Sequence, residues 1–123
     1  MSDTTRWQEI KELSVVEAQL GSNVTAASDA GHWLDFSGCE NFRVSISGTI
    51  TAGTYDVLAC DLIQRPADSD NNHPSLLQGL SGSQLNWLNF ATAPHWAKFI
   101  TGATFAGALY CGVTADRKNA WRR

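Results

Sequence analysis

Residues 42–48 read Phe-Arg-Val-Ser-Ile-Ser-Gly, a run in which apolar and polar side chains alternate. Phe42, Val44 and Ile46 fall on one face, and the residues between them fall on the other. A period of two is typical of an antiparallel strand that packs one face into a core and turns the other to water. The run therefore predicts a half-buried β-strand.

Similar short segments recur along the chain and are separated by glycine-containing turns. The spacing of roughly 10–15 residues favours an antiparallel β-sandwich of six to eight strands over βαβ units. We leave open whether the topology is jelly-roll or immunoglobulin-like. The predicted strand from Tyr55 to Gln64 has apolar residues on both faces, which indicates either a central strand covered on each side or a face that meets a partner. The other predicted strands are 31–36, 42–50, 84–90, 96–100 and 108–113.

The two ends of the chain differ from this pattern. We divide the chain into three parts: an apolar N-terminal arm (residues 1–21), the β-sandwich domain (residues 22–116) and a polar C-terminal tail (residues 117–123). Apolar residues of the arm recur every three to four positions, which suits a helix. Residues 13–18 also contain β-branched side chains, so the sequence fits a strand there nearly as well as a helix.

Composition bounds the class of protein. A chain of 123 residues with 43% apolar content is expected to form one globular domain. A net charge of −3 argues against a nucleic-acid partner. The start of the chain shows no apolar signal segment, and no apolar run reaches the ~18 residues of a membrane helix. We therefore expect a protein made in the cytoplasm that has no membrane partner.

Motifs for catalysis are not apparent. Three widely spaced cysteines fit neither a disulfide framework nor a zinc site, and we expect buried free thiols. The spacing of Asp29, His32 and Asp35, and the acidic loop at 68–72, are weak metal patterns that we set aside. Nucleophile elbows, phosphate loops and dinucleotide fingerprints are missing from the sequence. We expect no enzymatic activity, no cofactor and no metal.

Five tryptophans are an unusually large number for this length. We predict that Trp87 and Trp96 lie in the core. Tryptophan is enriched at protein interfaces, and two more lie near the chain ends among charged and polar residues. The predicted partner-binding residues of the arm and tail are Trp7, Ile10, Leu13, Trp121, Arg122 and Arg123.

Residues 33–38, 42–48, 53–57 and 94–110 together resemble small β-sandwich accessory proteins of tailed-phage virions. The resemblance covers about residues 31–113 and departs from the pattern in the arm and the tail. It implies a structural protein of the virion, foremost a capsid decoration or cement subunit, that binds the major capsid protein or other virion proteins. It further implies a homo-oligomer, often a trimer, that is made in the host cytoplasm. It carries over no catalytic residues.

An alternative function is a carbohydrate-binding module. In this hypothesis an exposed Trp33 or Trp121 stacks on a sugar, and the loop at 68–73 completes the ligand site.

Overall fold

The structure is a computed structural model that describes residues 15–76 and 84–118. Within these ranges the chain forms seven β-strands and no helix, so no helix that could span a membrane is found there. The strands are β1 (Val15–Val24), β2 (Leu34–Asp35), β3 (Cys39–Ala52), β4 (Tyr55–Cys60), β5 (Trp87–Thr92), β6 (Trp96–Thr101) and β7 (Ala106–Arg117).

The strands form two antiparallel sheets. The larger has the order β1-β7-β3-β5 and the smaller the order β2-β6-β4. The prediction of an all-β antiparallel sandwich is thereby confirmed. Consecutive strands β3 and β4 lie in different sheets. Gly53 makes this crossing possible, because its φ of 76° suits glycine and a Cβ there would lie 2.5 Å from the backbone of Phe105.

The core lies between the two sheets. Alternation in β3 buries Phe42, Val44 and Ile46, and the other sheet contributes Val57 and Phe99. Each such side chain contributes about 1.5–3 kcal/mol when fully removed from water. The alternation read from residues 42–48 therefore assigns the inward face of β3 correctly.

A second, smaller cluster lies on the outer side of the three-stranded sheet. Trp33, Leu58 and Cys60 are buried there beneath the loop that follows β4. Two backbone hydrogen bonds join this loop to β4, from Ala59 to Pro74 and from Leu76 to Val57. β4 is thus covered on both faces, as its sequence indicates. The expectation of a central position is wrong, because β4 is the end strand of its sheet.

The structure describes the arm and tail only in part. From residue 15 onward the predicted arm forms β1, which pairs with β7, so the strand alternative holds for the described portion. β7 extends to Arg117 at the start of the predicted tail. The six predicted partner-binding residues, Trp7, Ile10, Leu13, Trp121, Arg122 and Arg123, lie outside the described residues.

Candidate binding sites on the sandwich

The outer face of the four-stranded sheet carries an open depression. Strand register places Trp87, Ser45, Gly112 and Gln19 in one row across the four strands. The next row on the same face brings Arg43 beside Thr114 and Thr114 beside Glu17. These side chains surround a hollow of about 580 Å³. We call it the sheet-face depression, and its outward-facing lining residues are Glu17, Gln19, Arg43, Ser45, Trp87, Gly112 and Thr114.

A hydrogen-bond network fixes one side of this depression. Arg43 donates through Nε to Thr114 Oγ1 at 2.9 Å and through Nη2 to Asp116 Oδ1 at 3.1 Å. Asn41 donates to the other Asp116 oxygen at 3.0 Å. The hydrogen bonds from Arg43 and Asn41 hold the pKa of Asp116 below its usual value. The guanidinium is therefore already neutralised within its own sheet.

A second feature is the loop after β4, where two apolar side chains project into solvent. Leu62 is 60% exposed and Ile63 is 91% exposed. The backbone beneath them is held by the sandwich: the Trp96 indole Nε1 donates to Leu62 O at 3.0 Å, and the His95 amide donates to Asp61 Oδ1 at 3.0 Å. We call this pair the Leu62–Ile63 tip.

The remainder of that loop is braced by charged side chains. Asp68 accepts from Arg65 Nη2 at 2.7 Å and lies 2.9 Å from His32 Nδ1. The His32 hydrogen bond is the largest cause of the lowered pKa of Asp68, and the Trp33 amide and the Arg65 charge add to it. Asp70 likewise pairs with His73 at 3.0 Å. These carboxylates hold the loop in place.

Lys98 anchors the same loop from below. Its side chain is fully buried, and Nζ donates to Asp68 O at 2.6 Å and lies 5.0 Å from the centre of the Trp33 ring. Burial lowers the pKa of this ammonium, while Asp68 and Asp70 oppose that effect. The loop is thus attached to the sheet by a buried cation and an aromatic ring.

The structure corrects several predictions about tryptophan. Trp33 is only 1% exposed, and its indole donates to Ala67 O at 3.1 Å, so it is not the exposed sugar platform that the carbohydrate hypothesis requires. Trp87, predicted to lie in the core, is 66% exposed. Trp96 is half-buried against the smaller cluster and stacks on His95. Trp121 lies outside the described residues.

Two sequence signals indicate the sheet-face depression in retrospect. Leu88 and Phe90 pack toward the core, so the alternation of β5 directs Trp87 outward. Gly112 lies in the interior of β7, and glycine in a strand interior often marks a bulge or a place where a ligand or another backbone approaches closely.

The structure also shows where the cysteines and the residues of the weak metal patterns lie. Cys39, Cys60 and Cys111 are buried free thiols, as predicted. Burial raises the pKa of Cys111 to about 12. His32 pairs with Asp68 rather than with the aspartates nearest to it in sequence. In the described ranges, no group of three or more His, Cys, Asp or Glu side chains is arranged to hold a metal ion.

Comparison with solved structures finds the same fold in the SPBc2 prophage-derived protein YomS. The two chains share 15% sequence identity with a TM-score of 0.56, and the match covers 83% of this chain and 92% of that chain. At this identity the likeness concerns the fold alone. No protein family matches the sequence, and no curated protein matches it.

Proposed function

We propose that this chain is a structural protein of a phage particle, a capsid decoration or cement subunit that acts by binding other proteins rather than by catalysis. The Leu62–Ile63 tip is the observation that carries this proposal. The fold shared with a prophage-derived protein supports a phage origin.

The tip has the physical properties of an interface anchor. Burying both side chains in a partner's apolar pocket contributes about 1.5–3 kcal/mol each. Because hydrogen bonds from Trp96 and His95 already hold the loop, little conformational entropy is lost on docking. Contacts of this modest size hold a subunit firmly when a symmetric lattice repeats them.

The partners in this proposal are the major capsid protein or other virion proteins, and the place of action is the virion. The subunit itself is a homo-oligomer, with a trimer as the expected state. Closed symmetry buries sheet edges that otherwise invite further strand pairing. In this scheme the arm and tail reach neighbouring subunits.

The test uses particles purified from the phage that encodes the chain, with and without its gene. We expect the protein in purified particles at a copy number near that of the major capsid protein. We also expect particles without it to disrupt at a lower temperature, and added purified protein to restore the difference. If the protein is absent from purified particles, the proposal is contradicted. If only a few copies are present per particle, the decoration role is contradicted.

The role of the tip is tested by the double variant Leu62→Ser, Ile63→Ser in the same reconstitution. Both side chains are exposed, so we expect an unchanged unfolding temperature and at least about a tenfold loss of particle affinity. Tyr110→Ser removes an exposed apolar side chain from the outer face of the four-stranded sheet and is the matched control. Equal binding of both variants contradicts an anchoring role for the tip.

A further inference from the structure

We propose that the sheet-face depression is a binding site for a neutral oligosaccharide, with one sugar ring stacked on Trp87. This inference goes beyond the proposed structural role, since it concerns a different face from the Leu62–Ile63 tip. It is also a different site from the one that the sequence suggested at Trp33.

Trp87 supplies the stacking surface. Its side chain is 66% exposed, although tryptophan carries a large cost when left in water, and it lines the depression from the end strand β5. The face of an indole is apolar and flat, which suits the C–H face of a pyranose ring. The indole leaves the sugar hydroxyls free to meet polar groups further across the sheet.

Gly112 forms the floor of the depression, opposite a register shift in β1 between Gln19 and Gly21. Its φ does not lie in the left-handed region, and a Cβ at this position would meet no atom of residues 15–76 and 84–118 within 4 Å. Neither a positive φ nor a close contact in the described part of the chain therefore requires glycine in the middle of β7, where it weakens the strand. What the glycine does is keep the centre of the depression open.

The polar residues of the depression favour a neutral ligand. Gln19, Ser45 and Thr114 offer hydrogen-bond donors and acceptors to hydroxyl groups. The one cation among the lining residues, Arg43, is occupied by Asp116 and Thr114, and Glu17 adds a negative charge. An anionic sugar would meet repulsion here without a free cation to bind it.

The size of the site suits more than one sugar ring. The row from Trp87 to Gln19 crosses four strands, a distance of about 14 Å at the usual strand spacing. The hollow of about 580 Å³ lies within the range of small-ligand sites, roughly 300–1,000 Å³. Its open shape lets a chain extend across the strands, so we expect affinity to rise from a disaccharide to a hexasaccharide.

The test measures binding of the full chain to four neutral hexasaccharides, made of β-1,4-glucose, β-1,3-glucose, α-1,4-glucose or β-1,4-N-acetylglucosamine, by calorimetry and tryptophan fluorescence. A sulfated hexasaccharide is the anionic probe. We expect at least one neutral probe to bind and the sulfated probe to bind more weakly. Trp87→Ala should lose affinity by about tenfold or more.

Gly112→Val is the sharper variant, because its Cβ meets no atom of the described residues within 4 Å and its methyl groups extend into the depression. We expect it to fold with an unchanged or higher unfolding temperature and to abolish binding. Ser47→Val and Tyr110→Ala change paired positions in another row of the same face, outside the depression, and should bind as the parent does.

Three results would overturn the inference. One is that none of the four neutral probes binds. Another is that the sulfated probe binds more tightly than every neutral one. The third is that folded Gly112→Val retains full affinity. If instead Gly112→Val impairs particle assembly while no sugar binds, the depression is a protein interface and the oligosaccharide site is wrong.

Discussion

At the scale of the residue, Lys98 shows how a buried charge organises a loop. Its ammonium has been taken out of water to reach Asp68 O and the Trp33 ring. Lys98→Met keeps the apolar stem but leaves that carbonyl without its donor, so we expect a loss of about 1–3 kcal/mol in the free energy of unfolding. Urea denaturation measures the loss. Lys118→Met, at an exposed position, is the control, and equal stability of the two variants would contradict an anchoring role.

Cys111 gives a prediction at the same scale for alkaline pH. An unfolded thiol has a pKa of about 8.5, whereas the pKa of the buried thiol is about 12. The stabilising contribution is therefore complete below the unfolded pKa and is lost as pH rises, at no more than about 1.4 kcal/mol per pH unit. Denaturation curves between pH 8 and 11 measure this slope, roughly within the window that the two pKa values define. Cys111→Ala should reduce the slope of the free energy of unfolding against pH. An unchanged slope would show that other groups determine the loss of stability at alkaline pH.

At the scale of the element, β7 links the core to the outer surface. It pairs with both β1 and β3, buries Leu109, Val113 and Ala115 on one face, and presents Gly112 and Asp116 on the other. Its outer face depends on the hydrogen bonds between Asp116, Arg43 and Asn41 across to β3. The prediction for β7 therefore concerns Asp116, the charged side chain on its outer face.

Because the pKa of Asp116 is lowered in the fold, its contribution is present above the unfolded pKa of about 3.9 and is lost as pH falls through the folded value. The side chain is about one-third exposed, so we expect less than about 1 kcal/mol. Asp116→Asn should make thermal stability less sensitive to acid. Glu17→Gln, which removes a carboxylate from the adjacent strand β1, is the comparison. Equal acid sensitivity of Asp116→Asn and the parent would contradict this role.

At the scale of the whole molecule, the position of β1 determines how the arm should be tested. Deleting residues 1–20 removes Leu20, Val16 and Ala18 from the core and exposes the edge of β7, so we expect a loss of several kcal/mol. Deleting residues 1–14 leaves β1 intact, and the unfolding temperature should change by only a few degrees.

The shorter deletion therefore separates assembly from folding. If the arm holds subunits together, removing residues 1–14 lowers the molar mass by light scattering while the sandwich stays folded. An unchanged molar mass contradicts an assembly role for Trp7, Ile10 and Leu13.

Local alternation determined much of the architecture. The pattern at residues 42–48 and the apolar positions of 108–113 assign the inward faces of β3 and β7, because burial of one sheet face requires a period of two. Buried free thiols likewise follow from cysteine number and spacing. These properties rest on neighbours along the chain, which the sequence displays directly.

Only the tertiary structure decided what covers each face. Trp33 and Trp87 have similar local sequences of apolar and polar neighbours, yet the first is buried by a loop 34 residues away and the second is left in solvent. The assignment of consecutive β3 and β4 to different sheets also depends on contacts between distant segments. Alternation specifies that a face is apolar, but the segment that covers this face is distant in sequence and is chosen by long-range packing.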